Sequence, residues 1–100
     1  MKRTPLSFIA HWAGGEIHGD DTVVDAVSND TRTLAPGSLY VALRGERFDG
    51  HDFAADALAR GASAMLVERL LDVAVPQVVV ADTELALARI AAGMQRDRAT

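Results

Sequence analysis

Two short polar segments hold the side chains best suited to chemistry. The first is Asn29-Asp30-Thr31-Arg32, an amide, a carboxylate, a hydroxyl and a guanidinium in succession. A guanidinium presents a fork of donors that matches phosphate or carboxylate, and a threonine hydroxyl both donates and accepts. The second segment, residues 44–52, carries Arg44, Glu46, Arg47 and Phe48 ahead of Asp49-Gly50-His51-Asp52. Its cations suit an anion and its ring can stack on a planar group. Together the two segments can supply an anion-plus-ring site, as a nucleoside diphosphate needs. The plainer alternative for the first segment is an Asp30–Arg32 pair that only holds its loop, and the residues alone leave both readings open.

The trio Asp49, His51 and Asp52 admits an acid/base or metal reading, but turn and cap chemistry explains it better. Asp49-Gly50 suits a turn, His51 an anchor for the loop, and Asp52 the cap of a following helix. A small hydrolase built on Asp49 and His51 lacks a nucleophile paired with them. His11, His18 and His51 do not fall at metal-ligand spacings, and there is no cysteine. No Walker-type phosphate loop and no dinucleotide fingerprint occurs. The sequence therefore assigns no catalytic residue, no metal ligand and no cofactor site within this chain.

The elements that position these segments follow from pattern. Thr4 as cap and Pro5 as first helical residue open a helix with Leu6, Ile9, Ala10 and Ala13 on its buried stripe, and Gly14-Gly15 closes it. Trp12 is assigned to core packing. Residues 16–18 predict a short strand, and 22–27, rich in β-branched residues, predict a longer one that runs straight into Asn29. Ala35-Pro36-Gly37-Ser38 predicts a type II turn. Residues 38–43 predict the next strand. Asp52 is expected to cap a helix over 53–60 that Gly61 stops. Residues 64–67 read as a strand buried on both faces, and 77–81 as another. Asp82 or Thr83 caps a last helix with Leu87, Ile90, Ala91 and Met94 as its stripe, and a polar tail covers 95–100. Strand–helix–strand units at this spacing predict an α/β fold, a small mixed, partly parallel β-sheet flanked by helices. Open sheets of this kind bind ligands beyond the carboxyl ends of their strands, where Asn29 falls.

Composition sets the outer limits. One hundred residues, 49% hydrophobic and 24% charged, make one globular domain over 1–100 with enough chain for a core. A net charge of −4 argues against binding nucleic acid by bulk charge, and the basic residues are scattered apart from Arg96 and Arg98. No apolar run predicts a signal peptide or a membrane span. The expectation is a cytoplasmic monomer.

Three runs carry a resemblance: Ser28-Asn29-Asp30-Thr31-Arg32, then Pro36-Gly37-Ser38-Leu39-Tyr40-Val41-Ala42-Leu43, then Gly45-Glu46-Arg47-Phe48-Asp49-Gly50-His51-Asp52-Phe53. The chain resembles the N-terminal domain of the Mur ligases, which build the peptidoglycan stem peptide. Gly61-Ala62-Ser63-Ala64 and Pro76-Gln77-Val78-Val79-Val80-Ala81-Asp82-Thr83 continue the match over nearly the whole chain. Within the family the third run is most like the branch that adds D-alanyl-D-alanine. The sibling that adds the third stem residue usually carries an aromatic pair before a proline at the end of the last helix, where this chain has Met94-Gln95-Arg96-Asp97-Arg98.

The resemblance implies a substrate-recognition domain for UDP-N-acetylmuramoyl-tripeptide. D-alanyl-D-alanine, ATP and magnesium would be handled by further domains of an ATP-dependent ligase. The parent reaction forms an acyl phosphate that the incoming amine attacks, and this chain alone would be inactive. The family's uridine-diphosphate contacts fall here on Asn29, Thr31, Arg32, Glu46, Arg47 and Phe48. Tyr40 stands where Phe is commoner, so its hydroxyl needs a partner. The alternatives are the sibling ligase's domain, or an interaction module that kept the fold and lost the ligand.

Overall fold

The first two strands are short and belong to different sheets. In a computed structural model describing residues 1–99, with side chains through Asp97, β1 (Thr4–Pro5) is followed by α1 (Leu6–Ala13) and β2 (Glu16–His18). Thr4 and Pro5 are thus strand and boundary rather than cap and first turn. Thr4 Oγ1 donates to the Lys2 carbonyl, and the helix is capped across the chain instead: Ser7 N–H donates to Asp21 Oδ1 at 3.0 Å and Leu6 N–H to the Thr22 carbonyl at 2.7 Å. Gly14 closes α1 in the left-handed conformation, φ 69°.

The strand expected over 22–27 is two strands, β3 (Val23–Val24) and β4 (Ala26–Ser28). β3 pairs antiparallel with β1, while β4 joins the main sheet. Asp25 breaks the run because its N–H donates to the Gly37 carbonyl at 2.9 Å and its carboxylate faces Arg3. The turn at Pro36-Gly37 forms as predicted, with Gly37 at φ 88° and Ser38 N–H bonded to the Ala35 carbonyl.

β5 (Ser38–Val41), a 3₁₀ turn (Gly50–Phe53), α2 (Ala54–Ala59), β6 (Ala64–Val67), β7 (Gln77–Val79) and α3 (Thr83–Ala99) complete the chain. The main sheet runs β2-β7-β6-β5-β4; β4 to β7 are mutually parallel and β2 is an antiparallel edge. This is the mixed, partly parallel sheet that the sequence predicts.

Alternation along the strands builds two cores. One face buries Leu39, Val41, Ala64, Leu66 and Val78 under α1 and α3, with Leu6, Ile9, Ala86 and Ile90. The other buries Tyr40, Ala42, Met65 and Val67 under α2, with Ala54, Ala57 and Leu34. Gln77, buried on that second face, clasps the 68–76 connection: Leu71 N–H donates to its Oε1 and its Nε2 donates back to the Leu71 carbonyl. Trp12 packs partly buried against the first core. The α1–α3 contact needs Gly93, because a Cβ there would run into the Trp12 ring. Ala91, placed on the α3 stripe by spacing, is exposed; the stripe turns through Ala86, Ile90 and Gly93. The tail expected over 95–100 continues α3 to Ala99, while Thr100 and the Arg98 side chain lie outside the described residues.

Candidate functional site

The four parallel strands aim every polar segment of interest at one edge. Asn29 follows β4, Arg44 lies shortly beyond β5, Glu68 follows β6, and α3 opens beyond β7. Residues 29–32 and 44–48, separated in sequence by a turn and a strand, therefore meet at the carboxyl ends of neighbouring strands. Asn29, Thr31, Arg32 and Phe48 line one open cleft of about 490 Å³, with Asp30, Tyr40, Leu43, Gly50, Phe53 and Asp56. Glu46 and Arg47 are exposed at the tip of the second loop and do not line it.

The first loop is organised by its own side chains. Asp30 accepts the Arg32 backbone N–H at 2.9 Å, Arg32 Nε at 3.0 Å and Arg32 Nη2 at 2.9 Å. Asp30 N–H in turn donates to Ser28 Oγ. The Arg32 guanidinium beside Asp30 holds that carboxyl below the usual carboxylate range and is itself pushed up by the same bond. The pair foreseen as the plain reading is thus present. It occupies the Nε–Nη2 edge of a guanidinium whose side chain is 84% exposed. Among the described residues, the Asn29 amide and the Thr31 hydroxyl have no hydrogen-bond partner, and both residues line the cleft.

The second loop is closed first by bonds of its own. Arg44 and Asp49 face each other across a bridge, and Gly45 N–H donates to the Phe48 carbonyl at 2.9 Å. Gly45 has no room for a Cβ because the Phe48 ring folds over it. Phe48 nonetheless stays 57% exposed and Phe53 45%. These two rings give the cleft apolar walls with open faces. Tyr40 meets its need for a partner by donating from its hydroxyl to the buried Gly50 carbonyl at 2.7 Å.

The helix after this loop departs from expectation. Asp49, not Asp52, is the cap: its carboxylate accepts His51 N–H at 3.0 Å and starts a 3₁₀ turn, and α2 begins only at Ala54. Asp52 is exposed and gives only its N–H, to the Asp49 carbonyl. The His51 backbone and ring bonds, with Arg69 beside them, lower the Asp49 pKa from its ordinary 3.8 to about 2. His51 is the predicted anchor, with both ring nitrogens bonded and the side chain fully buried. The cleft walls from Phe53 and Asp56 were not singled out in the sequence. Their signal is the three-residue spacing that puts both on one face of a helical turn.

No group of three His, Cys, Asp or Glu side chains among the described residues could hold a metal ion. No helix among them is long and apolar enough to cross a membrane.

The chain is a three-layer α/β domain with an open, two-ring cleft beyond its parallel strands. Residues 23–95 match the family described as "Mur ligase family, catalytic domain", and the chain belongs to the Mur ligase family. It is 52% identical over 96 residues, 96% of the chain, to the UDP-N-acetylmuramoyl-tripeptide–D-alanyl-D-alanine ligase of Escherichia coli, covering 21% of that protein. It is 44% identical over 87 residues, 86% of the chain, to a UDP-N-acetylmuramoyl-L-alanyl-D-glutamate–2,6-diaminopimelate ligase of Geobacillus kaustophilus, covering 18% of it. The fold superposes on crystal structure II of MurF from Acinetobacter baumannii with a TM-score of 0.90 at 32% identity, over 99% of this chain and 22% of that one. The chain thus spans about a fifth of the length of these relatives.

Proposed function

We propose that this chain is the domain that recognises the UDP end of UDP-N-acetylmuramoyl-tripeptide in an ATP-dependent ligase that adds D-alanyl-D-alanine to the peptidoglycan precursor. The observation that supports it is the cleft at the carboxyl edge, which Thr31, Arg32 and the exposed Phe48 ring line together. In this reading Asn29 and Thr31 hydrogen-bond the nucleotide, Phe48 stacks on a ring, and Arg32 and Arg47 meet the diphosphate. Glu46 and Arg47 close over the cleft from the loop tip. The match of 52% over nearly the whole chain favours the D-alanyl-D-alanine branch over the diaminopimelate-adding sibling. ATP, magnesium and D-alanyl-D-alanine belong to parts of the longer relatives that this chain does not cover. The cysteine-free composition and a nucleotide ligand suit the cytoplasm.

The test is a titration of UDP into isotope-labelled protein, read as amide shifts. The expected shifts cluster on residues 29–32 and 44–48. Thr31→Val removes a hydroxyl at nearly constant volume and should weaken binding by about 0.5–1.5 kcal/mol. Arg47→Ala should weaken it more at low salt than at high salt, since salt screens an exposed charge. Shifts confined to Glu84, Arg89 and Arg96 on the outside of α3, with both loops silent, would sink the site.

A further inference from the structure

We propose that His51 is a positioning residue of this site: it sets the Phe48 ring over the cleft by fixing Asp49, from a buried hub that also reaches the amino end of α3. The inference rests on the UDP reading above. The imidazole is wholly buried and carries two bonds of unlike kind. Its Nε2 stands 2.9 Å from the backbone nitrogen of Glu68, its Nδ1 2.6 Å from Asp49 Oδ1. A backbone N–H only donates, so Nε2 accepts and the ring proton sits on Nδ1, aimed at the carboxylate. That assignment leaves the neutral ring satisfied at both nitrogens and holds it in one orientation.

Each bond leads to a different part of the molecule. On one side Asp49 also takes the His51 backbone N–H at 3.0 Å and Arg69 Nη1 at 3.3 Å, and it faces Arg44 across the bridge. Phe48 is its chain neighbour, clamped by the Gly45 N–H, so the place of Asp49 sets where the ring can lie. On the other side Glu68 presents its carboxylate to the same loop and to α3. Oε1 takes Arg44 Nε at 2.8 Å, and Oε2 takes the Thr83 N–H at 2.9 Å. The Thr83 hydroxyl lies 3.1 Å from Oε2 and 2.8 Å from the Ala42 carbonyl. The 44–49 loop is thereby gripped at both feet, at Asp49 through the imidazole and at Arg44 through Glu68.

The experiment separates the two bonds. The Asn amide nitrogen is as many bonds from Cβ as Nδ1, and the Gln amide oxygen as many as Nε2. His51→Asn therefore keeps a donor for Asp49, and His51→Gln keeps an acceptor for the Glu68 N–H. With UDP as probe, His51→Asn should bind within about threefold of wild type, while His51→Gln should lose about tenfold or more. Leu39 and Ile90 methyl shifts, remote from the loop, should stay unchanged in both. In wild type the ring nitrogens of His51 and the Glu68 amide should shift along the same saturation curve as Phe48. Equal affinity in the two variants, whether equally strong or equally weak, overturns the proposal. If wild type binds no UDP, the nucleotide reading fails instead. Exchange of the Gly45 N–H then decides alone: it should quicken about tenfold in His51→Gln and not in His51→Asn, and unchanged protection in both overturns the positioning role.

Discussion

The two loops of the cleft end at the same sheet edge but are held by different means. Residues 29–32 are organised by neighbours in the chain: Ser28 bonds Asp30 and Asp30 bonds Arg32 within a span of five residues, in contact with water. Residues 44–53 add to their own short-range bonds partners 10 to 24 residues away. Tyr40 holds Gly50 and the Glu68 amide holds His51 out of water, while Arg69 adds an exposed bond to Asp49. An exposed ion pair adds little to stability because water and salt compete for both partners. A buried hydrogen bond matters more, since losing one partner strands the other away from water. The first loop can therefore change at small cost to the fold, and the second is tied in part to the core.

Substitutions can break that contrast or sharpen it. The largest effect is expected from Gly50→Ala. A Cβ there would stand 2.7 Å from the Leu43 carbonyl oxygen and 2.8 Å from its nitrogen, and backbone cannot give way as a side-chain end can. Urea denaturation should show a loss of about 3 kcal/mol, and a loss below about 1 kcal/mol would mean that the second loop is looser than described.

Tyr40→Phe comes next. It strands the Gly50 carbonyl and should cost about 1–2 kcal/mol in the same assay. It carries a pH signature as well. Burial, and then Asp49, Asp30 and Asp56, raise the Tyr40 pKa above its ordinary 10.0. A raised pKa means that the neutral hydroxyl stabilises the fold below about 10 and that this contribution is lost as pH rises further. The alkaline fall in stability should be shallower in Tyr40→Phe, and an identical alkaline limb in both proteins would contradict the assignment.

Asp49→Asn probes the same loop from the acid side. The native pKa of about 2 lies below the ordinary 3.8, so the charged carboxylate stabilises the fold above about 3.8 and loses its effect as pH falls toward 2. Thermal midpoints taken across that window should slope less in the variant than in wild type.

The smallest effect is expected from Arg32→Ala, within about 0.5 kcal/mol of wild type by urea denaturation. A loss above about 1.5 kcal/mol would erase the distinction between the loops.

Much of this molecule is legible in the chain. The strand expected over 38–43 and formed over 38–41, the strand over 64–67, the Pro36-Gly37 turn, the Gly14 and Gly61 stops and the Asp30–Arg32 pair all follow from patterns a few residues long. So does the pair of polar segments that meets in the cleft, because parallel strands carry whatever follows them to one edge. The departures have two causes. Thr4, Asp25 and Asp52 each suit a local role by type; the first two are reassigned by something distant, and Asp52 by Asp49 in its own loop. Asp21 reaches across to cap α1, Gly37 draws the Asp25 amide out of a continuous strand, and Asp49 starts its helical turn three residues early.

The sequence by itself determined the strand and helix periods, the turns and the chemistry available at the edge. Local backbone preference and side-chain alternation act over a few residues, and a reader of the chain has those residues in view. Only the tertiary structure decided that Phe53 and Asp56 wall the cleft, that Glu46 and Arg47 stand outside it, and that His51 bonds Glu68 rather than a ligand. Those outcomes depend on which strands lie side by side, and the register between strands is set by burying two faces at once, a condition that no single segment carries.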